Sequence, residues 1–191
     1  MIQYGVVNYV FGAPGTGKTT FLAKLSRWYM KHGFKGRIYA NFPLKDTIQI
    51  KDEEIGYYSF TDSILLLDEL GVSMSNRDFK SGLMSDKNRL SYWKRIRHYL
   101  QKNSKGCCWV ATQGWNDIDL KVRTLSTNYF LLSKFFGITF VKPIHKDCDV
   151  DPLSHEPTDY FTIDPFLSWS WVWRRRYYKY FDSCVSSPES S

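Results

Sequence analysis

The 191-residue sequence predicts a three-layer α/β domain built on a mainly parallel sheet, and three stretches predict it. The first is Phe11-Gly12-Ala13-Pro14-Gly15-Thr16-Gly17-Lys18-Thr19-Thr20, which reads G-x-x-x-x-G-K-[ST]. A β-branched and aromatic run, Gly5 to Phe11, precedes it, and Phe21, Leu22, Leu25, Trp28 and Tyr29 follow at helical spacing. The second is Ser63-Ile64-Leu65-Leu66-Leu67-Asp68-Glu69, an unbroken aliphatic run that ends in two carboxylates. The third is Cys107-Cys108-Trp109-Val110-Ala111-Thr112-Gln113, apolar until its polar end. Apolar runs that do not alternate suit strands covered on both faces, as parallel sheets require.

Strand, glycine loop and helix is the context in which the first pattern holds phosphate. Gly12, Ala13, Pro14, Gly15, Thr16 and Gly17 let backbone N–H groups turn inward toward a β-phosphate, and the helix that opens at Gly17 adds the positive end of its dipole. Lys18 would reach the β- and γ-phosphates, Thr19 would place its hydroxyl on Mg²⁺, and Thr20 completes the binding stretch. The expected ligands are ATP and Mg²⁺. The plain alternative is a glycine-rich turn with a chance lysine.

The carboxylates after Leu67 complement the loop. Asp68 would hold Mg²⁺ through water, and Glu69 would orient and deprotonate an attacking water. That glutamate separates reaction classes, because an enzyme that passes phosphate to a small acceptor must exclude water and a hydrolase must activate it. In nucleotide hydrolases with such a glutamate, a strand like 107–112 lies between the other two, so Gln113 would face the γ-phosphate and orient water or report hydrolysis. Alternatively, Gln113 satisfies buried backbone groups.

The remaining elements are less marked. The first helix is expected over 17–32 with Gly33 as its left-handed cap, Phe21, Leu25 and Tyr29 on the sheet, and Lys24, Arg27 and Lys31 outside. A strand at 37–41 is stopped by Asn41-Phe42-Pro43, and the polar connection 45–56 allows a short strand at 48–50. Residues 71–80 read as a loop near the site. A basic helix follows at 86–101, either a solvated face or a surface for nucleic acid or an acidic partner. Asn116 to Arg123 begins with good cap residues and reads as a short helix that carries Arg123 toward a sheet edge. Strands at 129–134 and 138–141 around Gly137 form a β-hairpin. The aromatic and basic stretch 166–181 has three readings: closure of the core, a stacking platform for single strands, or an interfacial membrane anchor. The domain is placed at 1–182, with 183–191 a disordered tail.

Composition bounds these readings. With 43% hydrophobic and 17% aromatic residues the chain can bury a core, and its net charge of +7 favours an anionic partner, nucleic acid or acidic lipid. Cys107, Cys108, Cys148 and Cys184 show no C-x-x-C spacing and are expected to be reduced. His145 and Cys148 make one H-x-x-C pair with no second pair to complete a zinc site. No 18-residue apolar run suggests a spanning helix, and Met1 to Tyr4 lacks the basic start of a signal peptide, which points to the cytoplasm.

With the loop, Leu67-Asp68-Glu69, Gln113 and the Asp117-Ile118-Asp119 to Arg123 run in place, residues 1–181 resemble the ATPase domain of the Zot (zonula occludens toxin) family, which includes filamentous-phage assembly proteins. Asn76-Arg77, Arg97-His98 and Tyr-Tyr-Lys-Tyr-Phe-Asp at 177–182 look like that family too. The resemblance implies a P-loop NTPase sandwich of RecA/FtsK-like ASCE type with a β-hairpin at one edge, and Mg²⁺-dependent hydrolysis of ATP to ADP and phosphate. It further implies a motor that extrudes or packages phage single-stranded DNA, working as a homo-oligomer, by resemblance a hexamer, at the inner face of the host membrane with an inner-membrane partner. In such rings Arg123 would enter the neighbouring subunit's site; a salt bridge to Asp117 or Asp119 is the alternative. Phage-assembly members usually continue into a membrane span and a periplasmic part, so no export or toxin role of those parts is carried over. A helicase or packaging ATPase acting directly on DNA, and a non-catalytic nucleotide-binding module, are the competing function classes.

Overall fold

Parallel strands with apolar residues on both faces form the centre of the molecule, seen in a computed structural model that describes residues 4–51, 54–55, 61–69, 100, 105–114, 126–150, 157–163 and 170–181. Five parallel pairings join β1 (Val6–Phe11), β2 (Arg37–Ala40), β3 (Ile48–Gln49), β4 (Ser63–Leu67), β5 (Cys107–Thr112) and β6 (Asn128–Phe135). The sheet continues antiparallel through β7 (Ile138–Val150) and β8 (Pro157–Ile163), in the order β3-β2-β4-β5-β1-β6-β7-β8, and β9 (Ser170–Trp173) pairs with β7.

The unbroken apolar runs are explained by their two faces. Leu65, Leu67, Cys108 and Val110 join Val7 and Tyr9 in one buried cluster with Ile50, Ile55 and Leu100. Their sequence neighbours Ile64, Leu66, Cys107, Trp109 and Ala111 join Val10 on the other face, packed on Phe21, Leu22, Ala23 and Tyr29 of the helix α1 (Lys18–Lys31). Each such aliphatic side chain contributes roughly 1.5–3 kcal/mol through burial. The polar atoms at this interface are paired: Trp109 Nε1 donates to Tyr29 Oη at 3.1 Å, and Tyr29 Oη lies 3.2 Å from Cys107 Sγ. Burial pushes the Tyr29 phenol well above its ordinary range.

Helix α1 ends as its sequence predicts, with Gly33 at φ 78°. Its outer face differs from expectation at Lys24, which does not project freely: Nζ donates to Ser170 Oγ and to the Trp171 carbonyl, both at 3.0 Å. The residues from 170 onward lie along that face, so the lysine finds protein acceptors there.

The hairpin is β6 with β7, turned at Phe136 (φ 41°) and Gly137 (φ 83°). Two central residues with positive φ are the twist-matched solution for a two-residue turn. β7 extends nine residues beyond the predicted end at Val141, past Pro143, which reads as a breaker. On the side away from β6, β9 covers 138–141 and β8 covers 144–150. Pro143 falls in the gap between them, where a missing N–H costs no ladder bond on that side.

Of the three readings for the tail, the described part supports core closure: Val172 is buried, and Tyr177, Tyr180 and Phe181 pack against the α1 cluster. Trp171 and Trp173, which alternate with Val172, remain 59% and 56% exposed. The basic helix expected at 86–101, apart from Leu100, the loop at 71–80, the helix at 116–123 with Arg123, and the tail at 183–191 lie outside the described residues.

Candidate nucleotide site

The loop between β1 and α1 has glycine where a side chain would not fit. A Cβ at Gly12 would come 2.6 Å from the Leu132 carbonyl oxygen. At Gly17 (φ 92°) it would collide with Thr139 Oγ1. Between them Thr16 Oγ1 donates to the Ala13 carbonyl at 2.8 Å, and Thr139 Oγ1 of β7 donates to the Thr16 carbonyl at 2.6 Å. The hairpin therefore braces the loop from outside. Buried Lys18 folds back inside it, Nζ donating to the carbonyls of Gly12 at 2.8 Å and Ala13 at 3.3 Å.

Opposite the loop, β4 delivers its two carboxylates. Thr19 Oγ1 donates to Asp68 Oδ2 at 2.5 Å. Burial raises the Asp68 carboxyl above its usual range and the Glu69 charge adds to this, while the Thr19 hydrogen bond and the Lys18 ammonium oppose it. A carboxylate held at such a cost, with a threonine hydroxyl beside it, is an oxygen donor pair suited to Mg²⁺. Among the described residues no cluster of three or more His, Cys, Asp or Glu offers another metal site.

Glu69 sits at φ 50°, an unusual backbone conformation for a residue that is not glycine, and its N–H is bonded to Asp68 Oδ1 at 3.1 Å. Because β5 lies between β1 and β4, its carboxyl end brings Gln113 to the same place. Gln113 is exposed, and its Nε2 donates to Glu69 Oε1 at 3.4 Å.

Pro14, Gly15, Gly17, Lys18, Thr19, Thr20, Asp68, Glu69 and Gln113 line a common cavity of about 380 Å³. A larger one of about 610 Å³ lies between α1 and the β6–β7 side of the sheet, but none of the loop residues from Gly12 to Thr20 reaches it. Of these two cavities, the smaller is the one bordered by both the glycine loop and the two carboxylates.

Sequence reasoning missed several residues that build this cavity. Asn41, which as a sequence reads only as a strand stop, clamps the backbone of Asp68. Thr139 carried no signal beyond its place in the hairpin. Arg174, Tyr178 and Phe181 also line the cavity, although they lie more than 150 residues after the loop. Their traces in the sequence are the aromatic and basic composition of 166–181 and, for Tyr178 and Phe181, the family-like stretch at 177–182.

No family model matches the chain, and no curated protein is a significant match. Among solved structures the N-terminal domain of zonular occludens toxin from Neisseria meningitidis superposes with a TM-score of 0.54 at 19% identity, covering 93% of this chain and 98% of that one. The flagellar accessory protein FlaH from Methanocaldococcus jannaschii gives 0.51 at 13% identity, over 74% of this chain and 79% of its own. This is the RecA-like P-loop NTPase fold. The resemblance to the zonula occludens toxin domain is thus borne out as a likeness of fold. That likeness spans nearly the whole chain. No described helix is long and apolar enough to cross a membrane.

Proposed function

We propose that the chain is a Mg²⁺-dependent ATPase that drives assembly, extrusion or packaging of filamentous-phage single-stranded DNA, in the manner of Zot-type morphogenesis proteins. The observation that carries the hydrolytic part is the placement of Gln113 on Glu69, with Thr19 on Asp68 beside it and the P-loop opposite. Thr19 and Asp68 would hold Mg²⁺, which when bound neutralises charge on the β- and γ-phosphate oxygens. The backbone of Gly12 to Gly17 and the Lys18 ammonium would hold the phosphates. Glu69 would accept a proton from the water whose oxygen attacks the γ-phosphorus as the bond to the bridging oxygen breaks, and Gln113 would fix the Glu69 carboxylate toward that water. The exposed end of the site is consistent with water as acceptor.

The phage role rests on the likeness of fold to a zonula occludens toxin domain together with the soft sequence motifs. A direct contact with single-stranded DNA is favoured by Trp171, Trp173, Arg175 and Arg176, which border one shallow surface depression and offer ring faces and phosphate-pairing cations. Assembly into a ring and docking at the inner face of the host membrane belong to the same reading.

Steady-state ATPase assays with and without single-stranded DNA, paired with sedimentation in nucleotide, test it. Turnover that is abolished in Lys18→Ala and stimulated by DNA is expected. Tight ATP binding without turnover would instead support a non-catalytic nucleotide module, and wild-type turnover in Lys18→Ala would sink the P-loop assignment.

A further inference from the structure

We propose that residues 174–181 form the nucleoside side of the nucleotide site, with Arg174 as a second cation on the phosphates and Tyr178, backed by Phe181, as the wall against which the base lies. This rests on the nucleotide reading above and extends it to a part of the chain outside the glycine loop and the two strand ends that face it.

The segment is a strap tied down at both ends. It leaves β9 with Trp173 opposite Ile138, and the Arg174 N–H donates to the Gly137 carbonyl at 3.2 Å. It ends beside β2, where the Lys45 N–H donates to the Tyr180 carbonyl at 2.8 Å and Phe181 forms a β-bridge with Leu44. Between these ties it runs alongside α1, from Gly17, where an added Cβ would meet the Arg174 side chain, to Arg27, whose guanidinium lies 4.8 Å over the Tyr180 ring. The strap is therefore held in place by protein contacts, and its inward side chains are positioned before any ligand arrives.

Arg174 Nη1 donates to the Gly15 carbonyl at 3.0 Å, at the tip of the P-loop. Its Nε–H is buried and has no hydrogen-bond partner among the described residues. A buried guanidinium donor without an acceptor is costly. Beside a phosphate-binding loop, a phosphate oxygen is the acceptor that this planar fork suits.

Tyr178 is half exposed, stands edge-to-face with Phe181 at 6.1 Å, and lines the same cavity as Thr19 and Thr20. The carboxylate end of that cavity, with Asp68, Glu69 and Gln113, is where the terminal phosphate must lie if water is to reach it. The ribose and base then leave by the other side, over the start of α1, where the strap stands. An aromatic face takes any base, because every base has a π-face. The ligand class is thus a nucleoside triphosphate held with little discrimination among bases.

The test compares Mg-ATP with Mg-tripolyphosphate, which has the phosphates and lacks the nucleoside, by titration calorimetry on the full chain. Tyr178→Ala should weaken ATP about tenfold while tripolyphosphate stays within about twofold, and Tyr178→Trp should restore ATP affinity. Arg174→Ala should weaken both ligands. Thermal unfolding of each variant confirms that the fold is kept. Equal losses for the two ligands in Tyr178→Ala, or no loss for either, overturn the base wall; unchanged affinities in Arg174→Ala overturn the second cation. Wild-type binding of both ligands with strap variants indistinguishable from it sinks the strap alone. If the wild-type chain binds neither ligand, the P-loop reading itself fails and the strap proposal fails with it.

Discussion

Asn41 grips the peptide of Asp68 from both sides: its Nδ2 donates to the Asp68 carbonyl at 2.8 Å, and its Oδ1 accepts the Asp68 N–H at 2.7 Å. Its own N–H donates to the Leu66 carbonyl at 3.3 Å, so the end of β2 and the end of β4 are locked in one register. A carboxylate whose burial disfavours its charge is thereby held at a fixed point opposite Thr19.

Asn41→Ala should therefore cost about 1–3 kcal/mol of stability, the sum of two half-buried hydrogen bonds, and should lower turnover more than it lowers nucleotide affinity. Thermal unfolding and steady-state kinetics check this. A variant with wild-type melting temperature and turnover would show that the clamp is ornamental.

Glu69→Gln keeps the shape of the side chain and removes its basicity. ATP binding should survive while turnover falls by roughly 10²-fold or more, the range for a lost general base. Gln113→Ala should produce a smaller fall through the same step, because it leaves the carboxylate in place and loses only its orienting bond. Single-turnover assays separate chemistry from release. Undiminished chemistry in Glu69→Gln would assign water activation to another group.

Burial pushes the Cys107 thiol up from 9.0 to about 11, with hydrogen bonds from Tyr29 and Trp109 partly opposing it. The fold thus favours the neutral thiol. That stability is fully present below the unfolded-state value near 9.0 and is lost as pH rises toward 11. The loss is at most about 2–3 kcal/mol, two pH units of linkage. Cys107→Ser removes the titration while keeping a partner for the Tyr29 hydroxyl. Its denaturant midpoint should fall less than that of the wild type between pH 8 and pH 10.5, and equal falls would place the alkaline sensitivity elsewhere. Alkylation at pH 8 should spare Cys107 and Cys108 until the chain unfolds.

Arg123 lies outside the described residues, and the reading that it serves a neighbouring subunit is tested by mixing. Arg123→Ala subunits combined with Lys18→Ala subunits should regain part of the activity that each lacks alone. No recovery, with a monomer at every nucleotide concentration, would leave the arginine to a local salt bridge with Asp117 or Asp119.

The central sheet was legible because its residues are apolar on both faces. Ile64 to Leu67 and Cys107 to Ala111 serve two clusters at once, and no helix of that length would need such a run. The loop was legible because Gly12 and Gly17 answer to close approach by Leu132 and Thr139, contacts that tolerate no other residue. Lys24 was misplaced because an amphipathic pattern shows which face avoids water, and it is silent on a second segment laid over the polar face. β8 and the far half of β7 escaped notice because Pro143 reads as a stop wherever its partners are unknown. The strap escaped for a related reason: Arg174 and Tyr178 meet Gly15 and Thr20 only through a crossing from β9 to β2 that has no periodic signature.

Lys18 already spends its ammonium on the carbonyls of Gly12 and Ala13, and Thr139 secures the far side of the same turn. Arrival of a phosphate is then an exchange of partners within a standing ring of dipoles. Little chain entropy is surrendered on loading and little is recovered on release. The loop can act as a stationary anvil, and any movement coupled to a bound nucleotide would have to be generated at the carboxylate side, where Glu69 sits at φ 50°, a backbone conformation unusual for a residue other than glycine.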